Sequence, residues 1–448
     1  MEINKALNSD SFPSTVDKLN FVDHISKFLG LAVSQLYLLC ALITCYEVIS
    51  RYVFDAPTQW AFETVMVLCA SAWMLSAGYI TLHKRHIGIT VIYIMVDKAK
   101  QWYLDLFAYV IGVVALWMFV DDTLVRAIES VMMVERAGSA WNSPQPLILK
   151  TMLVTGATVY LTQLLVNLYR HFDSKVAKNI ISGVAAFIIF RIILVFFEHA
   201  FELKGVIAIN EHLSSIAAYL EPTKYVDIRD IGIKWASILI VSLMILLMMT
   251  GMPLGIVTLF VSILSALFYF GFNGLYLVST NAFGLLEAYP LIAVPLFVLM
   301  ASILEKAGVA EDLFDAMQIF AGKLRGGVAI QTIVVAVILA AMSGVMGGEI
   351  VMLGLVALPQ MMRLGYNRKL AIGVVCASGA LATLIPPSII MIVYGLSANV
   401  AIGDLFMAGA VPGLMLATFY AIFTLIRCYI NPSLAPNAEE VAAARGKE

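Results

Sequence analysis

Charge is what this sequence has least of. Only 13% of its 448 residues are Asp, Glu, Lys or Arg, whereas a soluble protein has about 25%. Hydrophobic residues make up 61% of the chain, and the mean hydropathy is +0.92. This composition excludes a soluble globular protein, and a net charge of −2 argues against a nucleic-acid partner. The sequence therefore predicts an all-α polytopic protein that lies in a lipid bilayer.

Catalytic and metal-binding signatures are missing as well. The five cysteines form no CxxC pair and have no spacing typical of metal ligands: Cys40, Cys45, Cys69, Cys376 and Cys428. The sequence has no HExxH, GxSxG or phosphate-binding loop motif. We therefore expect a protein that is not an enzyme, does not hydrolyse ATP and has no cofactor.

Long apolar segments dominate what the sequence does contain. About 20 apolar residues are enough for a helix to cross the roughly 30 Å hydrocarbon core of a bilayer. We predict about ten such segments: 28–50, 60–82, 102–121, 147–168, 179–200, 232–251, 253–273, 287–306, 371–398 and 408–428. A further apolar segment, 327–362, is interrupted in its middle by the sequence SGVMGG.

Loop charges orient these segments by the positive-inside rule. Basic clusters occur at 83–86, 170–178, 323–325 and 363–369, and acidic residues occupy the loops between them. With a cytoplasmic N-terminus, every basic cluster lies inside, provided that the interrupted segment enters and leaves on the same side. The sequence therefore predicts a re-entrant helical hairpin over 327–362 and cytoplasmic N- and C-termini.

A second interruption lies in 371–398, at Gly379 and at the adjacent Pro386 and Pro387. Proline removes a backbone donor and clashes with the preceding turn, and unpaired backbone groups in hydrocarbon cost several kcal/mol each. Unwound backbone within a transporter helix marks a binding site. A single interruption could merely shape helix packing, but two close together in sequence favour a site.

Polar side chains accompany both interruptions. Ser343 at the hairpin tip and Ser378, Thr383 and Ser388 at the break supply hydroxyl groups, and neutral oxygens of this kind suit an exchangeable alkali cation. Glu349 follows the tip. It is either a cation ligand or proton site, or a first-turn acid that stabilises the second hairpin helix, and the sequence does not separate these two roles.

Three other charged positions have more than one interpretation. Arg191 lies inside 179–200, and we expect its side chain to extend toward Glu198 rather than form an ion pair with another span. Arg51 and Glu63 flank the first external turn. They could pair with each other or be separate interfacial residues.

These motifs resemble those of tripartite ATP-independent periplasmic (TRAP) transporters. The runs ALPQMMRLGYNRKLAIGVVCASGALATLIPPSIIMIVYG and GDLFMAGAVPGLML are similar to the first half of the large membrane subunit, and SRYVFDAPTQWAFE is similar to the small four-span subunit. The resemblance extends over nearly all of residues 28–432. It implies four regions: a small subunit at 1–175, a connecting helix and linker at 176–229, half of the large subunit at 230–432, and a cytoplasmic tail at 433–448.

The resemblance also implies a function. TRAP transporters are secondary importers of the bacterial inner membrane, driven by sodium, that take up small organic anions from a periplasmic substrate-binding protein by an elevator-type movement. By position, Ser343, Gly344 and Gly379 would lie at the sodium site, with no metal beyond sodium. The substrate cavity would then be shaped by these residues: Gly347, Gly348, Thr383, Pro386, Pro387 and Ser388.

Three departures from the family pattern bear on these expectations. Val345 stands where a small hydroxyl residue is common, and Ala382 where a second glycine is common. The family's large subunit has two inverted halves, each with a hairpin and a broken helix, and only one such set occurs here. A partner chain, the rest of a longer protein or dimerisation would supply the other half. An ion channel or exchanger, and a scaffold without transport activity, stay open as alternative functions.

Overall fold

The structure is a computed structural model that describes these residues: 20–201, 207, 209, 232–321 and 324–436. Within them the chain is helical without strands, so the predicted all-α polytopic fold is confirmed. The chain forms two compact units, residues 1–287 and 288–448. The predicted linker 202–229 lies almost wholly outside the described residues, as does most of the predicted tail 433–448.

The described residues of the first unit form nine α-helices: α1 Phe21–Tyr52, α2 Ala61–Leu82, α3 Val91–Met95, α4 Lys98–Met133, α5 Gln145–His171, α6 Lys175–Phe201, α7 Ile233–Met249, α8 Leu254–Phe270 and α9 Leu275–Leu286. Long helices pack side by side in the order α1, α2, α5, α4, α6, and α8 and α9 also lie against α4. Apolar side chains such as Val120, Leu149 and Ile256 are buried where α4, α5 and α8 meet. The core of this unit therefore lies around α4.

Buried ion pairs tie the helices of the first unit together. The Asp23 carboxylate on α1 is 0% exposed. It accepts hydrogen bonds from Gln163 Nε2 at 3.0 Å and Arg170 Nη1 at 3.1 Å, both on α5, and a further bond from Arg170 Nη2. Because every oxygen of this buried carboxylate has a donor, its charge is compensated within the unit.

The expectation for Arg191 is wrong. Its Nε lies 3.4 Å from Asp121 Oδ1, and its Nη2 donates to Asp121 Oδ2 at 3.4 Å, so α6 is paired with α4. The span predicted at 102–121 ends at Asp121, whereas α4 continues to Met133. The longer helix brings the acid beside Arg191 instead of leaving it in a loop.

Arg51 and Glu63 do not pair with each other. Arg51 Nη2 lies 2.6 Å from Glu47 Oε1, one turn earlier on α1. Glu63 is buried and accepts a hydrogen bond from the Ser143 hydroxyl. Each residue therefore has its own partner, and no ion pair between them spans the turn.

The described residues of the second unit form seven α-helices: α10 Ala293–Lys306, α11 Val309–Ala321, α12 Gly327–Ser343, α13 Met346–Arg363, α14 Arg368–Gly379, α15 Ile389–Ala398 and α16 Ile402–Ile430. Helix α12 contacts α10, α11, α13, α14 and α16. Its residues Val335, Ala336 and Ala340 are fully buried. Small side chains on α12 allow these neighbours to approach, so α12 is the centre of the unit.

Eight helices among the described residues are long and apolar enough to cross a membrane, fewer than the ten predicted. The predicted span 371–398 is two short helices, α14 and α15, and α7 has only 17 residues. Helix α9 was not predicted at all. The interruption of 327–362 is present, but only Gly344 and Val345 separate α12 from α13, so the turn is tighter than the predicted tip at 343–348.

Candidate functional site

The hairpin tip lies directly against the helix break in the second unit. Gly344 ends α12 in the left-handed conformation, with φ of +63°, which glycine adopts without a Cβ penalty. A Cβ at Gly344 would collide with the Pro387 carbonyl oxygen. The amide of Ile389 points to the Gly344 carbonyl at 3.5 Å. A side chain at this position would therefore push the tip away from the break.

The break itself is stabilised by hydroxyl groups. After α14 the chain forms a 3₁₀ turn, Ala380–Thr383, passes through the cis Pro386–Pro387 bond and enters α15. Ser388 is fully buried and its Oγ donates to the Thr383 carbonyl at 2.8 Å. Thr383 Oγ1 donates to the Ala380 carbonyl at 2.8 Å. These bonds pair carbonyl oxygens that the interrupted helix would leave free.

A second close contact joins α13 to α14. A Cβ at Gly379 would lie 3.1 Å from the Ile350 Cα and 3.2 Å from its backbone nitrogen, and would collide with the Ile350 side chain. Glycine at this position therefore lets the two backbones approach. The hairpin and the broken helix therefore pack closely against each other at Gly344 and at Gly379.

Glu349 lies at this junction with its carboxylate only partly compensated. The residue is 1% exposed and Oε1 accepts a hydrogen bond from the Ser343 hydroxyl. Oε2 is buried and has no hydrogen-bond partner among the described residues. Leaving a buried charge unpaired costs several kcal/mol. Glu349 lies in the first turn of α13, where a carboxylate also interacts favourably with the helix dipole, so its position fits both predicted roles.

The other predicted site residues lie near the hairpin tip, except for Ser378. Gly347 and Gly348 lie in the first turn of α13, where a Cβ would meet nothing within 4 Å, so their amides have open space beside them. Pro386 and Pro387 are half-buried beside the tip. The Ser378 hydroxyl is buried and has no hydrogen-bond partner among the described residues. This residue lines a cleft between α14 and α16. The structure therefore places Ser378 beside a different feature from the hairpin tip.

A polar cleft in the first unit was missed by the sequence analysis. It has a volume of about 400 Å³ and is lined by residues that include Arg126 and Lys150. Arg126 Nε lies 3.1 Å from Asp122 Oδ2, and Lys150 Nζ lies 2.5 Å from Glu135 Oε2. The i, i+4 spacing of Asp122 and Arg126 could have revealed the first pair. Since each cation has an acid beside it, we interpret this cleft as structural.

Two family profiles match the chain. Residues 241–446 match the DctM component of the tripartite ATP-independent periplasmic transporter, and residues 40–174 match the DctQ component of these transporters. The two components thus occur in one chain, with DctQ first. Residues 344–388, which contain the hairpin tip and the helix break, lie within the DctM match.

Several curated proteins are similar to part of this chain. The C4-dicarboxylate TRAP transporter large permease protein DctM of Rhodobacter capsulatus is 34% identical over 42% of this chain and 46% of its own length. The ectoine TRAP transporter large permease protein TeaC of Halomonas elongata is 35% identical over 43% and 45%. The isethionate TRAP transporter permease protein DctMQ of Oleidesulfovibrio alaskensis is 35% identical over 31% and 22%. The chain therefore matches less than half the length of each relative.

Proposed function

Because this chain belongs to the TRAP transporter family, as a fusion of its DctQ and DctM components, we propose that it is the membrane component of a sodium-coupled importer of small organic anions. A periplasmic substrate-binding protein delivers the anion, a carboxylate or sulfonate. The observation that carries the sodium site is the buried Oε2 of Glu349, which has no hydrogen-bond partner among the described residues.

The hairpin tip offers oxygens of the kind that bind an alkali cation. The Ser343 hydroxyl, the Gly344 carbonyl and the Glu349 carboxylate come from three positions within seven residues. A cation among them would compensate the buried charge that the described residues leave unpaired. Gly379 acts indirectly, since its missing side chain lets α14 approach Ile350 beside Glu349.

The first turn of α13 suits an anionic substrate. The amides at the start of a helix have no acceptors within it, and the helix dipole favours negative charge there. Gly347 is exposed and Gly348 half-buried, with no side chain to cover these amides. The substrate and the cation would then bind on either side of the same turn, which gives a physical basis for their coupling.

We further propose that the hairpin and the broken helix move as one body during an elevator-type cycle, since Gly344 and Gly379 interlock them. A second, inverted half, from a partner chain or the rest of a longer protein, would complete the substrate cavity. The loop charges favour cytoplasmic N- and C-termini in the bacterial inner membrane.

Uptake by proteoliposomes tests this function. The intact transporter that contains this chain is reconstituted, and radiolabelled succinate, isethionate and sialic acid are offered with and without the binding protein and an inward sodium gradient. We expect uptake of one anion that requires both. Sodium flux without binding protein or anion would instead show a channel or exchanger, and absence of any flux would favour a scaffold.

A further inference from the structure

A cleft on the second unit has a lining that includes neither the hairpin tip nor Glu349. It runs between α14 and α16 and has a volume of about 490 Å³. Leu370, Gly373 and Ala377 line it from α14, and Tyr420 and Phe423 line it from α16. Phe423 is 61% exposed, so the cleft is open to the outside of the unit.

The cleft is charged at one end and mostly apolar elsewhere, with hydroxyl groups contributed by Ser378 and Thr424. Lys369 in the first turn of α14 and Arg427 in the last turn of α16 both line it. These two positions lie at the same end because α14 begins where α16 finishes. No carboxylate occurs among the described residues that line the cleft. The charged end therefore carries two cations without an acid from its own walls.

The apolar part has the length of a lipid tail within one leaflet. Lys369 and Ala377 are eight residues apart on one helix, which corresponds to about 12 Å. Half of the hydrocarbon core is about 15 Å thick. A groove of this length, with cations at its outer end, matches a phospholipid in both polarity and depth.

We propose that this cleft binds one anionic phospholipid of the cytoplasmic leaflet, with an acyl chain along Gly373 and Phe423 and the phosphate group between Lys369 and Arg427. The cytoplasmic leaflet follows from loop charge, since Arg363 and Arg368 lie at the same end as Lys369. Juxtamembrane Lys and Arg residues attract anionic headgroups. This inference goes beyond the proposed function and does not depend on the nature of the transported anion.

The alternative occupant is another protein segment, such as a helix of the part of the relatives that this chain does not match. Such a segment would have to bring carboxylates to pair with Lys369 and Arg427. A lipid phosphate already lies at the depth of the helix ends and requires no further element. Charge complementarity therefore favours the lipid.

Native mass spectrometry of the intact transporter tests the proposal. The delipidated protein is titrated with phosphatidylglycerol or with phosphatidylcholine, and a photoactivatable phosphatidylglycerol is used to label the site. We expect at least tenfold tighter binding of phosphatidylglycerol at one site and labelling of Tyr420 or Phe423. Equal binding of the two lipids, or labelling confined to other segments, would overturn the proposal.

Two variants test separately how the lipid headgroup and the acyl chain contribute to binding. Lys369→Gln with Arg427→Gln should weaken phosphatidylglycerol binding at least tenfold. Gly373→Leu should abolish the labelling, because a side chain there enters the cleft and a Cβ meets nothing within 4 Å, so the fold is retained. Arg368→Gln and Gly403→Leu lie outside the cleft lining and should bind as the wild type does. Unchanged labelling in Gly373→Leu would contradict the proposal even if the double variant failed to fold.

Discussion

Asp23 in the first unit and Glu349 in the second are both buried carboxylates, but their surroundings differ. Asp23 accepts hydrogen bonds from Gln163 and Arg170, whereas Glu349 has one serine hydroxyl and an oxygen without a partner among the described residues. Asp23 therefore joins α1 to α5 with its charge compensated. Glu349 stays partly uncompensated at a turn.

Under the proposed function, this difference separates a charge that stabilises the fold from a charge that binds the coupling cation. A carboxylate paired with arginine stabilises the arrangement that pairs it, and removing the partner leaves a costly buried charge. A carboxylate without a fixed cation can bind an exchangeable one. Variants of the two units should therefore respond in opposite ways, with stability lost in the first and transport lost in the second.

The largest effect is expected from Gly379→Leu. The new side chain would collide with Ile350 and separate α13 from α14, so sodium-driven uptake should fall at least 100-fold. Uptake by proteoliposomes is the measurement. Gly354→Leu is the matched control, since a Cβ there meets nothing within 4 Å, and it should retain most of the uptake. Normal sodium-driven uptake by Gly379→Leu would show that the contact between Gly379 and Ile350 is not needed for transport.

Arg170→Met should give the largest loss of stability. It leaves the buried Asp23 carboxylate without its cation, and because Arg170 is partly exposed we expect the free energy of unfolding in detergent to fall by about 3 kcal/mol, the low end for a broken buried pair. Thermal unfolding monitored by circular dichroism measures the change. A double variant with Asp23→Asn should recover part of the loss, because the unpaired charge is then gone. If Arg170→Met leaves the stability unchanged, the proposed difference between the carboxylates of the two units is wrong.

Glu349→Gln should weaken the sodium dependence of uptake without reducing the stability of the protein. Glutamine keeps the shape and can still accept from Ser343, but it removes the charge that would hold the cation. The sodium concentration for half-maximal uptake should rise at least tenfold, equivalent to about 1.4 kcal/mol, while the melting temperature stays the same or increases. Ser343→Ala should shift sodium dependence in the same direction. If both variants keep the wild-type sodium dependence, the cation binds elsewhere.

The smallest expected effect is a pH-dependent change in stability at Glu135, which lies beyond the end of α4. Burial alone would raise the pKa of this carboxyl, but hydrogen bonds from Lys150 and from Ser130 outweigh it and hold the pKa below its ordinary value of 4.5. A lowered pKa in the folded state stabilises the protein above pH 4.5, and this contribution is lost as the pH falls further.

Because the pair is partly exposed, we expect less than about 1 kcal/mol from it. Glu135→Gln should thus reduce stability at pH 7 and make little difference at the acidic end of the transition. Thermal unfolding of both proteins across this pH range checks the expectation. An equal difference at every pH would show that the carboxylate charge is not involved.

The sequence predicted the hairpin and the broken helix because both depend on local chemistry. Glycine in the left-handed conformation at Gly344 and the adjacent Pro386 and Pro387 end helices through local backbone chemistry, and the apolar runs on either side form helices in a membrane. Helix α9 was missed since its sequence continues an apolar run and its boundary depends on the turn at Gly271–Gly274. Local patterns do not contain such information.

The partners of charged residues were the least predictable feature. The side chain of Arg191 reaches an acid 70 residues away, and sequence offered only the nearby Glu198. The sequence likewise left the role of Glu349 open, and only the packing of α12 against α13 showed which oxygen is paired. Contacts between distant residues depend on how helices rotate and slide against each other, which no single segment encodes.

By itself, the sequence determined that this protein is an all-α membrane protein with an interrupted pair of helical segments, because composition and helix breakers act locally. Tertiary structure alone decided that the tip at Gly344 meets Pro387, that Gly379 meets Ile350, and that Glu349 is buried with one oxygen unpaired among the described residues. Those features arise from close backbone approach between segments that the sequence shows only separately.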